Sequence, residues 1–209
     1  MWASDGAARA DWRRPADWAQ AEREQVEREQ AAVELVDAAG RGVGVATVAD
    51  AHDRPGLPHR AFSVLLLSPD RQRLLLQRRS GAKVRFPFRW ANSCCGHPAP
   101  GEPAAVAAGR RLVEELGVEL SPTELTEIGV HQYRADDPAS GLVENEYDHV
   151  LLGWLSPEHP LRPDPAEVAE LRWVAPEELS ALLASGECAP WLAGVTAPLA
   201  AAAGEQWAR

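Results

Sequence analysis

The sequence predicts an α/β protein: a mixed sheet sandwiched between helices, with an N-terminal extension ahead of it. Three observations carry that class. The continuous apolar runs 61–67 and 73–78 read as strands covered on both faces. A helix over 102–116 separates them from three further strand-like runs at 127–134, 146–155 and 171–174. Helix-forming segments then recur near the C-terminus, so the sheet has helices on both sides of it in chain order.

Residues 1–32 read as an extension, partly helical or disordered, and 33–209 as the main folded domain. The extension is rich in Ala, Arg, Glu and Gln, with helix formers dominating from Asp17 to Ala32. It is expected to be solvated; a lid over the site is the alternative. The segments 33–37 and 43–48 flank a Gly-bearing turn and predict a hairpin. Residues 49–58 read as a loop. The runs 61–67 and 73–78 are joined by the turn Ser68-Pro69-Asp70, and 80–90 is an irregular basic and aromatic loop. In the 102–116 helix, Pro103 suits the first turn and Gly117 the stop. Short helices are expected over 165–170, 176–184 and 191–203.

Bulk composition excludes several roles. A chain of 209 residues with net charge −10 is a poor match for a nucleic-acid backbone. No apolar run approaches the roughly 20 residues of a membrane span, and the first residues lack the basic and apolar regions of a secretory signal. Cys94, Cys95 and Cys188 are odd in number and two are adjacent, which suggests a reduced, cytoplasmic protein. Oligomeric state is not readable.

The chemistry concentrates in 91–118. Arg111, Glu114 and Glu115 stand three and four apart on one helix face. Carboxylates so placed suit a hard divalent cation bridged to phosphate, although paired glutamates near a helix end are commonly a solvated face. The spacing from Gly96 through Glu102, Arg110, Arg111, Glu114 and Glu115 to Gly117 resembles the Nudix box. One departure is plain: Arg111 stands where the box usually has its first glutamate. Pyrophosphohydrolases of that superfamily generally use that glutamate, so its loss argues against hydrolysis, and an arginine there would grip diphosphate oxygens.

His52, His59 and His97, with Glu144 and Glu146 on one face of an extended segment, make a candidate first shell for Mg²⁺, Mn²⁺ or Zn²⁺. His131, His149 and His159 read as ordinary loop or core histidines. Four ordered motifs are now in place: His52-x6-His59, Asn92-Ser93-x-Cys95-Gly96-His97-Pro98, Arg110-Arg111-x3-Glu115-Leu116-Gly117 and Gly141-x2-Glu144-Asn145-Glu146. Together, over roughly 33–192, they resemble type 1 isopentenyl-diphosphate isomerases, a Nudix-type family.

That resemblance implies a Nudix-type sheet sandwiched between helices. It makes His52, His59, His97, Glu144 and Glu146 the protein metal site, and Glu115 the holder of a second Mg²⁺ that travels with the diphosphate. It makes Cys95 and Glu146 the catalytic pair, with Tyr133 beside the glutamate. Arg79, Lys83 and Arg111 fall at diphosphate-contacting positions, and Trp191 at an aromatic wall. Val48 stands where the family often has a phosphate-binding lysine, and Arg89 is the candidate replacement.

The implied reaction moves a double bond in a small prenyl diphosphate through a tertiary carbocation. It needs an acid and a base on opposite sides of a flat hydrocarbon, an aromatic face for the cation and exclusion of water. Cyclisation of a larger prenyl diphosphate would use the same groups. A Nudix pyrophosphohydrolase and a non-enzymatic diphosphate sensor are the remaining alternatives.

Overall fold

The structure, a computed structural model, describes residues 15–208, with side chains described from Arg23 onward. The leader ahead of residue 15, with Trp2 and Trp12, lies outside the described residues. The elements are α1 (Pro15–Gln30), β1 (Ala32–Val36), β2 (Gly42–Thr47), α2 (Val48–His52), β3 (His59–Leu67), β4 (Leu74–Arg79), β5 (Trp90–Ala91), β6 (Cys94–Gly96), α3 (Ala104–Leu116), β7 (Thr126–Asp136), β8 (Val143–Trp154), β9 (Val168–Val174), α4 (Pro176–Ala184), α5 (Leu192–Thr196) and α6 (Leu199–Ala203).

The nine strands form one mixed sheet organised on β3. β3 runs antiparallel to β1, β4 and β6 and parallel to β8. Its alternation divides the core. Phe62, Val64 and Leu66 join Leu112 and Leu116 of α3 on one face. Leu65 and Leu67 join Trp191, Leu192, Val195 and Leu199 on the other. Burial on both sides is why this strand is a continuous apolar run rather than an alternating one.

Register, more than any single contact, assembles the site. The parallel pairing sets His59 opposite Glu146. Pairing of β3 with β6 sets Ser63 opposite Cys95, and pairing of β7 with β8 sets Tyr133 opposite Glu146. A one-residue slip in any of these would turn the functional side chains to the wrong face.

Three local expectations are corrected. Residues 48–52, expected as a strand end at 48 and loop from 49, form a helical turn, because the Thr47 hydroxyl accepts the Asp50 N–H at 3.0 Å as an N-cap. The expected helix over 165–170 is a turn running into β9, where Asp164 Oδ1 accepts the Ala166 N–H. The expected helix over 191–203 is broken into α5 and α6 around Pro198, which has no N–H to continue the first. The α3 stop behaves as expected: Gly117 is left-handed at φ 67°, and a Cβ there would lie 2.9 Å from that of Arg162.

Candidate active site

A cleft of about 840 Å³ opens between the curled sheet, the 80–90 loop, α3 and the C-terminal end of α1. Its walls carry Cys95, His97, Tyr133, Glu144, Glu146, Arg79, Lys83, Arg111 and Trp191. Nine of the twelve candidates therefore meet in one place. The other three, His52, His59 and Glu115, stand behind that wall, each less than 3 % exposed.

The imidazole end is fixed by the backbone. Nδ1 of His52 donates to the Val48 carbonyl at 2.7 Å, and Nδ1 of His59 to the Leu57 carbonyl at 2.8 Å. A carbonyl can only accept, so each Nδ1 carries a hydrogen, and the neutral form of each ring would turn the lone pair of Nε2 inward. His59 Nε2 lies 3.3 Å from His97 Nε2, and His97 Nε2 lies 3.0 Å from Glu146 Oε1. His52 Nε2 faces Glu144 Oε2 at 2.8 Å. The inward atoms of His52, His59, His97 and Glu146 all lie within 4.8 Å of one another. Lone pairs crowded on one point suit a shared divalent cation, and the nitrogen and carboxylate donors fit it. Burial drives the His97 imidazole down to about 4, so it offers a lone pair at neutral pH. Glu144 is tied to this cluster through His52 and is turned toward Arg85, whose Nε lies 3.3 Å from its Oε1.

Glu146 is the junction. Its Oε2 accepts the Tyr133 hydroxyl at 2.6 Å while Oε1 faces His97. Burial pushes this carboxyl up, but hydrogen bonds and charge from His59 and His97 outweigh it and hold it well below the usual range. Burial acts unopposed on Tyr133 in the other direction, keeping the phenol protonated. Across the cleft, Cys95 is pushed up to about 12 by burial, against the nearby Arg79 guanidinium, whose Nη1 lies 3.7 Å from the sulfur. The thiol is therefore protonated at neutral pH. Cys94 is fully buried within the α3-side core, as an inert thiol should be.

Trp191 is 3 % exposed, and its Nε1 donates to Asn92 Oδ1 at 3.0 Å. Phe86 meets it edge-on at 5.6 Å, and the Arg79 guanidinium lies 5.3 Å from its ring centre. Phe86 and Phe88 both have left-handed backbone, at φ 47° and 61°. That costly conformation for bulky residues is held by the Phe86 N–H donating to Asp137 Oδ2 at 3.2 Å.

The cation end is built side chain to side chain. Arg111 bonds Glu114, Glu115 and Glu167 at 2.6, 2.5 and 3.0 Å. Glu115 is also held by Gln77 Nε2 at 3.2 Å. Lys83 Nζ lies 2.5 Å from Glu167 Oε2 and Arg28 Nη1 3.0 Å from Glu167 Oε1. Glu167 thus collects three cations in the interior; sequence reasoning missed it, because a lone glutamate in a Pro-rich turn has no motif around it. Arg28 was missed too. The extension, expected to be solvated, lines the cleft with Arg28 and Glu29, and Glu29 Oε2 pairs with Arg85 at 2.9 Å. Arg89, the expected replacement cation, is exposed and donates to the Gly186 carbonyl at 2.7 Å, away from the cleft walls.

The NUDIX domain family matches residues 57–193. A crystal structure of DR0079 from Deinococcus radiodurans superposes with a TM-score of 0.59 at 24% identity, covering 76% of this chain and 91% of that one. At that identity it speaks for the fold alone. Fold and box together define a Nudix-domain protein. The isopentenyl-diphosphate Delta-isomerase of Nocardia farcinica is 58% identical over 165 residues, which is 78% of this chain and 91% of that protein. Those of Streptomyces coelicolor and Halorhodospira halophila are 49% and 43% identical, over 76% and 71% of this chain and 78% and 82% of theirs. The chain belongs to the isopentenyl-diphosphate Delta-isomerase family. No helix among the described residues is long and apolar enough to cross a membrane.

Proposed function

We propose that this chain interconverts isopentenyl diphosphate and dimethylallyl diphosphate, moving the double bond by protonation and deprotonation through a tertiary carbocation. One observation carries the reading: a protonated thiol, Cys95, and a carboxylate, Glu146, face the same cleft, each with its own positioning group. An alkene shift needs one group to give a proton and another to take one from a different carbon. Cys95 and Glu146 come from β6 and β8, on either side of β3, so the hydrocarbon can lie between them. Tyr133 holds Glu146 in place and supplies the hydrogen bond that its carboxylate form needs. Trp191, fixed by Asn92, offers a ring face to the cation, an attraction of about 2 kcal/mol when desolvated.

Arg79, Lys83 and Arg111 would bind the diphosphate, with Glu115 turned to the same cluster to hold its Mg²⁺. We assign Mn²⁺, Mg²⁺ or Zn²⁺ to His52, His59, His97, Glu144 and Glu146. A cation bound there would withdraw charge from Glu146 and so tune its acidity. Arg111, paired to Glu115 where a hydrolase box has a carboxylate, leaves that position without a base for water. Three free cysteines suit the reducing cytoplasm.

Incubation of the protein with isopentenyl diphosphate and Mg²⁺ in heavy water tests the reading. Deuterium should enter both five-carbon diphosphates as they equilibrate. Conversion of only ten- to fifteen-carbon diphosphates, or phosphate release, would overturn it.

A further inference from the structure

The last turn of α1 carries an arginine whose hydrogen bonding is incomplete. Arg28 Nη1 is spent on Glu167, but its Nε and Nη2 are buried and have no partner. Buried polar atoms are almost always satisfied, and an unsatisfied donor on a charged group is costly. Arg28 lines the cleft beside Lys83 and Arg111, the two other cations that reach Glu167. Three positive groups share one carboxylate there, and Arg28 and Arg111 share one of its oxygens, Oε1.

Among the described side chains of α1, those of 23–30, nothing apolar accounts for its place. Over 23–30 its single apolar side chain, Val26, is 62 % exposed. That described stretch is held instead by adjacent charges: Arg28 on Glu167, and Glu29 on Arg85. A single residue, Ala31, separates α1 from β1.

We propose that Arg28 is a further substrate-binding residue, its Nε and Nη2 donating to diphosphate oxygens in the cleft. This rests on the isomerase reading for the substrate, but its first test needs no turnover. Guanidinium nitrogens in that fork geometry match two phosphate oxygens at once. The residue comes from the extension, so the diphosphate is gripped between the domain, through Lys83 and Arg111, and a helix outside the Nudix match at 57–193.

The experiment is calorimetric titration of inorganic pyrophosphate, with Mg²⁺, into the full chain and into Arg28→Gln, Arg28→Lys and Arg41→Ala. Arg41 is an exposed control whose side chain bonds Asp37. The Gln variant should bind roughly 10- to 100-fold more weakly, the size of one charge-assisted contact. The Lys variant should fall between, and Arg41→Ala should match the parent. In turnover, KM for isopentenyl diphosphate should rise in step, with kcat within about twofold. Unchanged pyrophosphate affinity in folded Arg28→Gln overturns the proposal, and so does a fall in kcat at constant KM. Loss of turnover by the parent with these binding differences intact would instead overturn the isomerase reading. Should Arg28→Gln unfold, Arg28→Lys decides on the same readings, since it keeps a cation for Glu167 while losing the fork.

Discussion

At the imidazole end of the cleft the ring nitrogens of His52 and His59 are aimed by main-chain carbonyls, and Glu146 by strand register; at the cation end Arg28, Lys83, Arg111, Glu115 and Glu167 are aimed by one another. The first arrangement is anchored to backbone and strand register, which suits proton transfer, because misplacing a reacting group costs rate steeply. The second is a set of ion pairs that can be exchanged for pairs with an incoming anion. Damage to one end should therefore appear in kcat, and damage to the other in binding and stability.

The largest effect is expected at Cys95. Cys95→Ala removes the proposed proton carrier while leaving the ion-pair network of the cation end in place, so kcat should fall by about 10² to 10⁴-fold. Pyrophosphate affinity and melting temperature should stay with the parent. Steady-state kinetics beside calorimetry checks this. A variant that kept its kcat would break the division between the two ends.

Glu167→Gln attacks the other end. It strands three cations around a buried amide, and loss of one partner of a buried ion pair costs about 3 kcal/mol or more. The pH dependence has a definite sign. Burial raises the Glu167 carboxyl, but Lys83, Arg111 and Arg28 together outweigh it, so its folded pKa is depressed. Such a group stabilises the fold above its unfolded pKa, about 4.3, and that stability drains away as pH falls toward the folded value. Denaturant melts from pH 7 to 2 should therefore show a steeper acid loss in the parent than in Glu167→Gln. Pyrophosphate should stabilise the variant more than the parent, because it meets cations that no longer have Glu167. Equal acid slopes would show that Glu167 does not hold the network together.

The same division explains what could be read from the chain. The imidazole end was legible because its residues sit at fixed spacings on elements with strong signals. Glu144 and Glu146 alternate along one strand, and His97 follows Cys95 at a Gly-Pro turn. The buried sheet was legible from its apolar runs. Arg28, Glu167 and Asp137 were not, because a side chain reaching across a cleft leaves no period in sequence. Their partners lie on other elements, and only the fold brings Glu167 beside Lys83 and Arg111. The left-handed Phe86 and Phe88 are invisible for a related reason: nothing in a run of bulky residues announces a conformation that glycine usually takes. The helical turn that holds His52 was missed as well: 49–52 read as loop, and the Thr47 cap that starts the turn shows only in the structure.

The smallest expected effect tests whether the anchored end is anchored for a purpose. Tyr133 lies opposite Glu146 in the sheet and donates to its Oε2 at 2.6 Å, its phenol kept protonated by burial. Tyr133→Phe keeps the ring, its 5.8 Å approach to Trp191 and the apolar wall, and deletes one donor. A hydrogen bond to a charged group contributes about 1.5 to 3 kcal/mol. Glu146 keeps its His97 contact on the other oxygen, so the lower end applies, and kcat should fall roughly tenfold. KM should not move if, as proposed, the diphosphate binds at the far end of the cleft. If KM rose instead, Glu146 would be positioned by the substrate rather than by the sheet, and the two ends would be one device.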